Sequence, residues 1–304
     1  MKQQEELHSK ILKLKKEREA IILAHNYQIP QIQDIADFLG DSLELAKKSI
    51  KIKENVIVFC GVHFMAETVK ILSPEKKVLL TVEDAGCPMA DMIESEQLLK
   101  LKQEYPKAWV VSYVNSPAQV KALSDVCCTS SNAVTVVKNI PVKEIIFVPD
   151  RNLGWWVQKN VPDKKIILWD GFCLVHEYFS LKDLELSREI HPDAQILVHP
   201  ECCKEVIEAA DFVLSTAGIL KMAKESLATK FIIGTEEGII YRLQKENPNK
   251  KFYSLGSAKV CVNMKKTTLE DVYKALANDQ YKIELDSSIM AKAKVALERM
   301  VKYV

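Results

Sequence analysis

Short apolar runs alternate with amphipathic segments along the whole chain. The runs are rich in Ile, Val and Leu with few polar positions, which indicates strands that are buried on both faces, as in a parallel sheet. The segments between them place apolar residues every three or four positions, the spacing of a helix with one buried face. Apolar strands that alternate with such helices predict an α/β fold whose helices cover both faces of each sheet.

The same order of elements occurs three times. Three apolar runs end at equivalent polar residues, which are His25, Tyr113 and His199. The first two are 88 residues apart and the next two are 86 apart, and this regularity indicates internal repeats. Each repeat is predicted to run strand, helix, helix, strand, helix, strand.

Three further markers keep the same spacing and a fourth, a cysteine, keeps it to within two residues; several offsets that match in three copies are unlikely to be accidental. An aspartate recurs at Asp37, Asp125 and Asp211. A hydroxyl residue recurs at Ser42, Ser130 and Thr216. A lysine pair recurs at Lys76-Lys77, Lys164-Lys165 and Lys250-Lys251. A cysteine follows each lysine pair, at Cys87, Cys173 and Cys261.

We therefore expect three pseudo-threefold-related αβα sandwich domains, with short parallel sheets around a central active site. The predicted first domain comprises residues 1–84 plus 264–304, the second 85–172 and the third 173–263. Functional groups of open α/β sheets gather at the carboxyl ends of the strands, so the repeated polar residues and cysteines are expected to face one cavity.

Composition narrows the function classes. The chain has 304 residues, and 48% of them are hydrophobic, which is enough to build a core. Its net charge is +1 and it has no basic or acidic block, which argues against nucleic acid or a membrane surface as the main partner. No apolar run approaches the roughly 20 residues that span a bilayer, and the charged N-terminus does not look like a signal peptide. We expect a cytoplasmic protein.

Eight cysteines are more than packing requires, yet the chain has no CxxC pair and no zinc-finger spacing. Most are expected to be small, buried and inert, namely Cys60, Cys127, Cys128 and Cys203. The repeat singles out Cys87, Cys173 and Cys261, one per predicted domain.

Three thiolates without a fourth protein ligand are too few for a closed structural zinc site. They suit a 4Fe-4S cluster in which one iron stays open and acts as a Lewis acid. Two alternatives remain at this stage. The match of the three cysteines could be accidental, and Cys202 is the strongest competing cysteine ligand.

A polar set follows the first strand of each repeat and offers proton donors, acceptors and a carboxylate base. Its members are His25, Tyr27, Tyr113, Asn115, His199 and Glu201. The hydroxyl triplet allows two interpretations. Ser42, Ser130 and Thr216 could be helix N-caps, or they could mark helix N-termini that bind a phosphate or a carboxylate.

The residues that carry this chemistry stand in sequences that resemble one known family. In chain order these are LAHNYQIPQIQDIADFLGDSLELA, FMAETVKIL, CPMA, YVNS, TSSNAV, PDRNLG, CLVH, HPEC, STAG and CVNMKK. Together they are similar to quinolinate synthase over nearly the full length. The resemblance implies three αβα domains around a 4Fe-4S cluster. It also implies condensation of iminoaspartate with dihydroxyacetone phosphate to quinolinate, with loss of phosphate and two waters, in de novo NAD synthesis.

The resemblance also implies roles for individual residues. Cys87, Cys173 and Cys261 would bind the cluster, and His176 would lie near it. The residues that would line the substrate cavity are His25, Tyr27, Tyr113, Asn115, His199 and Glu201. The residues that would hold phosphate and carboxylate oxygens are Ser42, Ser130, Ser215 and Thr216. Tyr27 and Glu201 are the candidates for proton transfer, with His25 and Tyr113 beside them.

This sequence departs from the family pattern at two places. Phe172 stands before the second cysteine where His is common, and Ala85-Gly86 stands before the first where Ala-Thr is common. The C-terminal CxxC of some members is absent, so no redox switch of that kind is expected. Other readings are a different three-cysteine cluster enzyme, of the diphthamide-synthesis or isoprenoid-diphosphate-reductase type, or a redox sensor or metal-storage module.

Overall fold

The computed structural model describes residues 2–304 and confirms the α/β class. It contains three four-stranded sheets, all of whose strand pairs are parallel. Helices flank each sheet, so the chain has three αβα sandwich units as predicted.

The first sheet has the order β2-β1-β3-β4. Its elements are α1 (Lys2–Glu17), β1 (Ala20–His25), α2 (Pro30–Ile35), β2 (Phe38–Gly40), α3 (Ser42–Ser49), β3 (Val56–Cys60), α4 (His63–Leu72) and β4 (Lys77–Leu80). A short 3-10 helix at Ala90–Met92 follows.

The second sheet has the same order, β6-β5-β7-β8. Its elements are α5 (Ser95–Glu104), β5 (Trp109–Tyr113), α6 (Ala118–Ala122), β6 (Val126–Cys128), α7 (Ala133–Asn139), β7 (Glu144–Val148), α8 (Arg151–Asn160) and β8 (Lys165–Leu168).

The third sheet again has this order, β10-β9-β11-β12. Its elements are α9 (Leu174–Glu177), α10 (Leu181–Ile190), β9 (Gln195–Val198), α11 (Lys204–Ala209), β10 (Phe212–Val213), α12 (Thr216–Glu225), β11 (Lys230–Gly234), α13 (Gly238–Glu246) and β12 (Lys251–Ser254). The chain then forms α14 (Leu269–Asn278) and α15 (Ser287–Lys302).

The predicted order of elements in the repeat was wrong in one respect, because each sheet has an extra strand at its edge. These strands are β2, β6 and β10, each three residues or fewer. In the first repeat α2 ends at Ile35, and Phe38–Gly40 pairs with β1. Such short strands take their pairing from the neighbouring strand rather than from an apolar run of their own.

The repeated aspartates explain where the edge strands begin. The backbone N–H of Ile22 donates to Asp37 Oδ2 at 2.8 Å, and the N–H of Asp37 donates to the carbonyl of Ile22 at 2.9 Å. The same reciprocal pair joins Asp125 to Val110 and Asp211 to Ile196. Each aspartate thus fastens the turn that leads into the edge strand to the first strand of its sheet.

The repeated lysine pairs have a structural role as well. In each pair the first Nζ donates to a backbone carbonyl that lies after the repeat's second helix, where carbonyls lack intrahelical partners. The contacts are Lys76 to Lys53 O, Lys164 to Ile140 O at 2.6 Å, and Lys250 to Ser226 O at 2.6 Å. The second lysine begins the fourth strand of each sheet.

The chain divides into two compact units. Unit 1 comprises the residues up to Cys87 together with Cys261–Met290, and unit 2 comprises Pro88–Val260 with Ala291–Val304. Unit 1 contains the first sheet, whose core includes Val272, Ala275 and Leu276 of α14. Unit 2 contains the other two sheets, and there Arg299 of α15 donates to the carbonyl of Asp125 at 2.9 Å. The three-domain boundaries at residues 84, 172 and 263 stay a prediction.

Each sheet has its own core. The buried side chains of β1 and β3 form the first, those of β5 and β7 the second, and those of β9 and β11 the third. Within residues 2–304, none of the helices is long and apolar enough to span a membrane.

Candidate active site

The loop after β9 fixes a buried histidine in one tautomer. The backbone N–H of Glu201 donates to His199 Nδ1 at 3.4 Å, so a neutral His199 ring carries its proton on Nε2. Nε2 lies 3.1 Å from Ser130 Oγ. Burial lowers the pKa of His199 to about 3, and the His176 ring acts in the same direction, so His199 is neutral near pH 7. This histidine is a hydrogen-bond donor at Nε2 rather than a cation.

Glu201 is the centre of the polar network in unit 2. Its Oε1 accepts a hydrogen bond from the Tyr113 hydroxyl at 2.6 Å, and its Oε2 lies 2.9 Å from His176 Nδ1. Burial alone would raise the pKa of this carboxyl, but the His176 and His199 rings and the Tyr113 hydroxyl outweigh it and lower the pKa to about 2. Glu201 is therefore a buried carboxylate that is ionised at neutral pH.

His176 joins this carboxylate to a cysteine. Its Nδ1 lies 3.2 Å from Cys173 Sγ, and its Nε2 lies 2.8 Å from Thr235 Oγ1. The ring also stacks on His199 with 4.7 Å between centroids. One atom each from Cys173, His176 and Glu201 lies within 4.8 Å of the others, so the three could hold a metal ion.

Asp150 and Asn152 belong to this site, and sequence reasoning gave them no role. Asp150 is fully buried, and its Oδ1 caps α8 by accepting from the N–H of Leu153 at 2.7 Å. Its Oδ2 has no hydrogen-bond partner among residues 2–304. Burial, and next the Glu201 charge, raise the pKa of Asp150 well above its usual range, which favours the protonated form. Asn152 donates to the carbonyl of Glu201 at 3.0 Å.

Two more buried amide atoms of unit 2 lack a partner within the described part of the chain. They are Asn115 Oδ1 in the loop after β5 and Asn132 Nδ2 before α7. Buried polar atoms are nearly always hydrogen-bonded, so an unsatisfied group in a native fold needs an explanation. A polar ligand near the loops that carry Tyr113 and Ser130 would supply it.

Unit 1 repeats the histidine arrangement after β1. The backbone N–H of Tyr27 donates to His25 Nδ1 at 3.2 Å, which again places the proton of a neutral ring on Nε2. The two rings pack edge to face with 4.5 Å between centroids. Lys265 Nζ donates to the carbonyl of Tyr27 at 2.6 Å, so the segment after Cys261 holds this loop.

Two of the three predicted cluster ligands belong to loops that contact each other within unit 1. Asn263 Nδ2 donates to the carbonyl of Gly86 at 2.8 Å, which brings the chain two residues after Cys261 beside the residue that precedes Cys87. Lys266 Nζ reinforces the contact through Asp84 at 2.7 Å. Cys173 lies in unit 2 at the start of α9.

The hydroxyl triplet does not cap helices. Asp41 caps α3 and Ser215 caps α12, since their side chains accept from the N–H groups of Glu44 and Gly218. Ser42 and Thr216 are the first residues of those helices. Ser130 lies in the turn before α7 and contacts His199. The simple N-cap interpretation is therefore wrong for these three hydroxyls, while Ser215 is a cap.

The sequence of this chain matches one family model and is similar to several known proteins. The family model described as quinolinate synthetase A protein matches residues 9–302. The quinolinate synthase of Caldicellulosiruptor bescii is 55% identical over 297 residues, which are 98% of each chain. The quinolinate synthase of Thermodesulfovibrio yellowstonii is 54% identical over 96% of each chain. That of Clostridium perfringens is 54% identical over 98% of this chain and 99% of its own.

The chain belongs to the quinolinate synthetase A family. As a family member it shows how its two departures are accommodated. Phe172 packs under the Arg151 guanidinium, 4.4 Å from the ring centroid, and its N–H donates to Met92 Sδ. Gly86 supplies the carbonyl that binds Asn263. Both positions thus make contacts within a loop that carries a candidate ligand cysteine.

The eight cysteines of this quinolinate synthetase family member separate by burial. None of them forms a disulfide bond, and Cys60, Cys127, Cys128 and Cys202 are fully buried. Burial raises the pKa of all four, that of Cys127 to about 12, so they remain protonated thiols. The Cys202 thiol donates to the carbonyl of Gly234 at 3.5 Å within the third core. Cys87, Cys173 and Cys261 are half-buried, as is Cys203, whose thiol donates to Phe179 O at 3.4 Å.

Proposed function

We propose that this protein is a quinolinate synthase that condenses iminoaspartate with dihydroxyacetone phosphate. The products are quinolinate, one phosphate and two waters, which balance the atoms of the two substrates. This transferase reaction would serve de novo synthesis of NAD. Membership of the family supports the proposal, as do the names of relatives that share 52–55% of their residues with this chain.

The observation that carries the proposal is the buried carboxylate of Glu201 with its three ring partners. The condensation removes a proton from a carbon beside the imine, and the two dehydrations need proton transfer to leaving oxygens. Glu201 is an ionised base, the Tyr113 hydroxyl donates to it at 2.6 Å, and neutral His199 offers an Nε2–H. A buried ionised group whose pKa is strongly shifted by specific partners is typical of catalytic sites.

We assign proton transfer to Tyr27 and Glu201, with His25 and Tyr113 as supporting catalytic groups. Tyr27 and Glu201 occupy the same position of the loop in the first and third repeats, two residues after a histidine whose Nδ1 accepts a backbone N–H. The phenol is a proton donor and the carboxylate is a proton acceptor, so the two supply complementary chemistry.

Substrate oxygens would bind to the remaining polar residues. We propose that phosphate and carboxylate groups are held by the hydroxyls and amides of Ser42, Ser130, Asn115, Ser215 and Thr216, with His25, Tyr113, His199 and Glu201 beside them. Ser42 and Thr216 begin their helices, where unpaired N–H groups favour an anion. The unpartnered Oδ1 of Asn115 can accept from a substrate N–H or O–H.

The cysteines present fit a 4Fe-4S cluster with Cys87, Cys173 and Cys261 as its ligands. These three are half-buried cysteines outside any disulfide, one in each repeat, whereas four of the other five are fully buried. The loops of Cys87 and Cys261 are tied together within unit 1. A cluster with three cysteine ligands leaves one iron open, and when bound it would supply a Lewis acid for a substrate carboxylate or hydroxyl.

The chemistry also implies a partner reaction. Iminoaspartate hydrolyses readily, so an aspartate oxidase or dehydrogenase must supply it close to the point of use. We place this protein in the cytoplasm with such an enzyme, without a role for nucleic acid or membrane.

A redox sensor would need the cysteines but not the acid–base groups. Removing an acid–base group should therefore impair an enzyme and leave a sensor intact. Glu201→Gln keeps the shape of the side chain and the Tyr113 contact while it removes the base. We expect it to retain the iron content of the wild type and to lose quinolinate formation by about 10²–10⁴-fold. Cys203→Ala is the matched control and should keep both. Full activity of Glu201→Gln would contradict the proposed role.

A further inference from the structure

We propose that the cluster-free protein holds a single divalent metal ion of the zinc type between Cys173, His176 and Glu201. All three residues belong to unit 2, so the site is complete without Cys87 or Cys261. It shares only Cys173 with the proposed cluster site and holds a different ion. Only the competition between this ion and the iron–sulfur cluster for Cys173 rests on the proposed function.

The ligand atoms are already close to the spacing that such an ion needs. His176 Nδ1 lies 3.2 Å from Cys173 Sγ and 2.9 Å from Glu201 Oε2. Zinc binds sulfur at about 2.3 Å and nitrogen or oxygen at about 2.0–2.2 Å, so each of these two pairs needs to spread by only a few tenths of an ångström. The Cys173 and Glu201 ligand atoms lie within 4.8 Å of each other. Three protein ligands plus a water complete the tetrahedral coordination that zinc prefers.

The surrounding residues orient two of the three ligands. Thr235 Oγ1 lies 2.8 Å from His176 Nε2 and can hold the proton there, which turns the Nδ1 lone pair toward the cysteine and the carboxylate. The Tyr113 hydroxyl occupies Glu201 Oε1 and leaves Oε2 for the ion. A lone pair on Nδ1 that faces Oε2 at 2.9 Å requires a proton or a metal ion between the two atoms.

The choice of ion follows from ligand softness. One thiolate, one imidazole and one carboxylate form a mixed donor set that suits Zn²⁺ and Co²⁺ better than Mg²⁺ or Ca²⁺. An ion bound here takes the thiolate of Cys173. Because Cys173 is also a proposed cluster ligand, zinc should compete with loading of iron and sulfide.

The test uses a variant that cannot assemble the cluster but keeps the site intact. Cys87→Ala/Cys261→Ala is purified without oxygen, freed of metal and titrated with Co²⁺, whose thiolate charge-transfer and ligand-field absorption report coordination. We expect one Co²⁺ per chain with a thiolate band, displaced by Zn²⁺. On the same background, adding Cys173→Ala or His176→Ala should abolish the band. Thr235→Val should weaken binding about 10–100-fold, as the loss of an outer hydrogen bond does.

Variants outside the site serve as matched controls. Cys203→Ala and His191→Ala, two residues of unit 2 outside the site, should bind Co²⁺ like the parent. Binding that disappears in Cys87→Ala/Cys261→Ala would mean that the three cysteines hold the ion together, and it would overturn the proposal. A thiolate band that survives His176→Ala would overturn it too. Neither result touches the proposed reaction, which the Glu201→Gln assay tests separately.

Discussion

The loops after β1 and β9 share the same hydrogen bonds and differ in the side chains that they present. In both loops, the histidine Nδ1 accepts a hydrogen bond from the backbone N–H two residues later, and the histidine carbonyl accepts one from the N–H three residues later. The second residue is Tyr27 in one loop and Glu201 in the other. The repeat thus keeps the hydrogen bonds that set the imidazole tautomer and varies the acid–base group between a proton donor and a proton acceptor.

The comparison extends to the helices α3 and α12. Each begins with a hydroxyl residue, Ser42 or Thr216, and each is capped by the residue before it. The caps differ, because Asp41 can ionise and Ser215 cannot. Burial raises the pKa of Asp41 to about 6, whereas the Glu44 N–H that it accepts acts in the opposite direction. The first repeat therefore has a pH-sensitive cap where the third has a neutral one.

The largest expected effect tests the shared tautomer. At His25 and at His199, a change to Gln keeps an amide donor near the position of Nε2, whereas a change to Asn places its polar atoms near Nδ1. We expect each Asn variant to lose about 10²-fold or more in kcat, and each Gln variant to retain more activity than its Asn partner. Equal or reversed losses at either position, at normal iron content, would contradict the assigned tautomer.

The second prediction exchanges the two caps. Because the pKa of Asp41 is raised in the folded state, the protonated carboxyl stabilises the fold. This contribution to the free energy of unfolding is complete below pH 3.8 and is lost as the pH rises through about 6. Asp41→Ser should remove this loss, which at 1.36 kcal/mol per pKa unit is about 3 kcal/mol at most. Denaturant unfolding across this pH range measures it.

The converse exchange, Ser215→Asp, should introduce a similar loss of stability with rising pH into the third repeat. An unchanged pH profile in both variants would mean that the caps are equivalent.

The third prediction concerns the repeated aspartates, whose role is structural in all three sheets. Asp37→Ala, Asp125→Ala and Asp211→Ala each leave a strand N–H without its acceptor. Each should cost about 1–3 kcal/mol of unfolding free energy. The Asn variants keep an acceptor and should cost less, and kcat should stay unchanged for the folded enzyme. Unequal costs would show that the three repeats are not equally dependent on this contact.

The smallest expected effect compares two buried donors at equivalent positions. Gln33 Nε2 donates to the carbonyl of Gln28 at 2.8 Å, and the Nζ of the fully buried Lys121 donates to the carbonyl of Ser116. Lys121→Gln copies the first repeat and should cost less than about 1 kcal/mol, whereas Lys121→Met leaves the carbonyl unpaired and should cost about 1–3 kcal/mol. Thermal unfolding of both variants measures the difference, and a more stable Met variant would contradict it.

Most of the fold could be predicted because its signals are local. The apolar strands, the amphipathic helices and the repeat intervals can all be read from the sequence, and each sheet is parallel as predicted. The short edge strands Phe38–Gly40, Val126–Cys128 and Phe212–Val213 could not be predicted in this way. Their pairing depends on a tertiary contact, the aspartate that fastens the turn to the first strand.

Some residues of the candidate site could likewise be predicted from the sequence and others could not. The repeat positions indicated His25, Tyr113 and His199, because chemically useful side chains follow equivalent strands. Asp150 and Thr235 gave no such signal, since an aspartate at a helix start usually indicates a cap and a threonine after a strand indicates nothing specific. Their roles depend on burial beside Glu201 and on contact with His176, which only the folded chain shows.

We propose that three repeat-related cysteines hold the cluster of a quinolinate synthase, and that activity depends on it. This proposal is tested by anaerobic reconstitution with iron and sulfide, followed by counting of both per chain and assay of quinolinate from dihydroxyacetone phosphate and freshly generated iminoaspartate. We predict about four of each with turnover, as expected for a 4Fe-4S cluster, both lost in Cys87→Ala, Cys173→Ala and Cys261→Ala but not in Cys203→Ala. Full iron content without quinolinate, or turnover without any iron, would contradict the account.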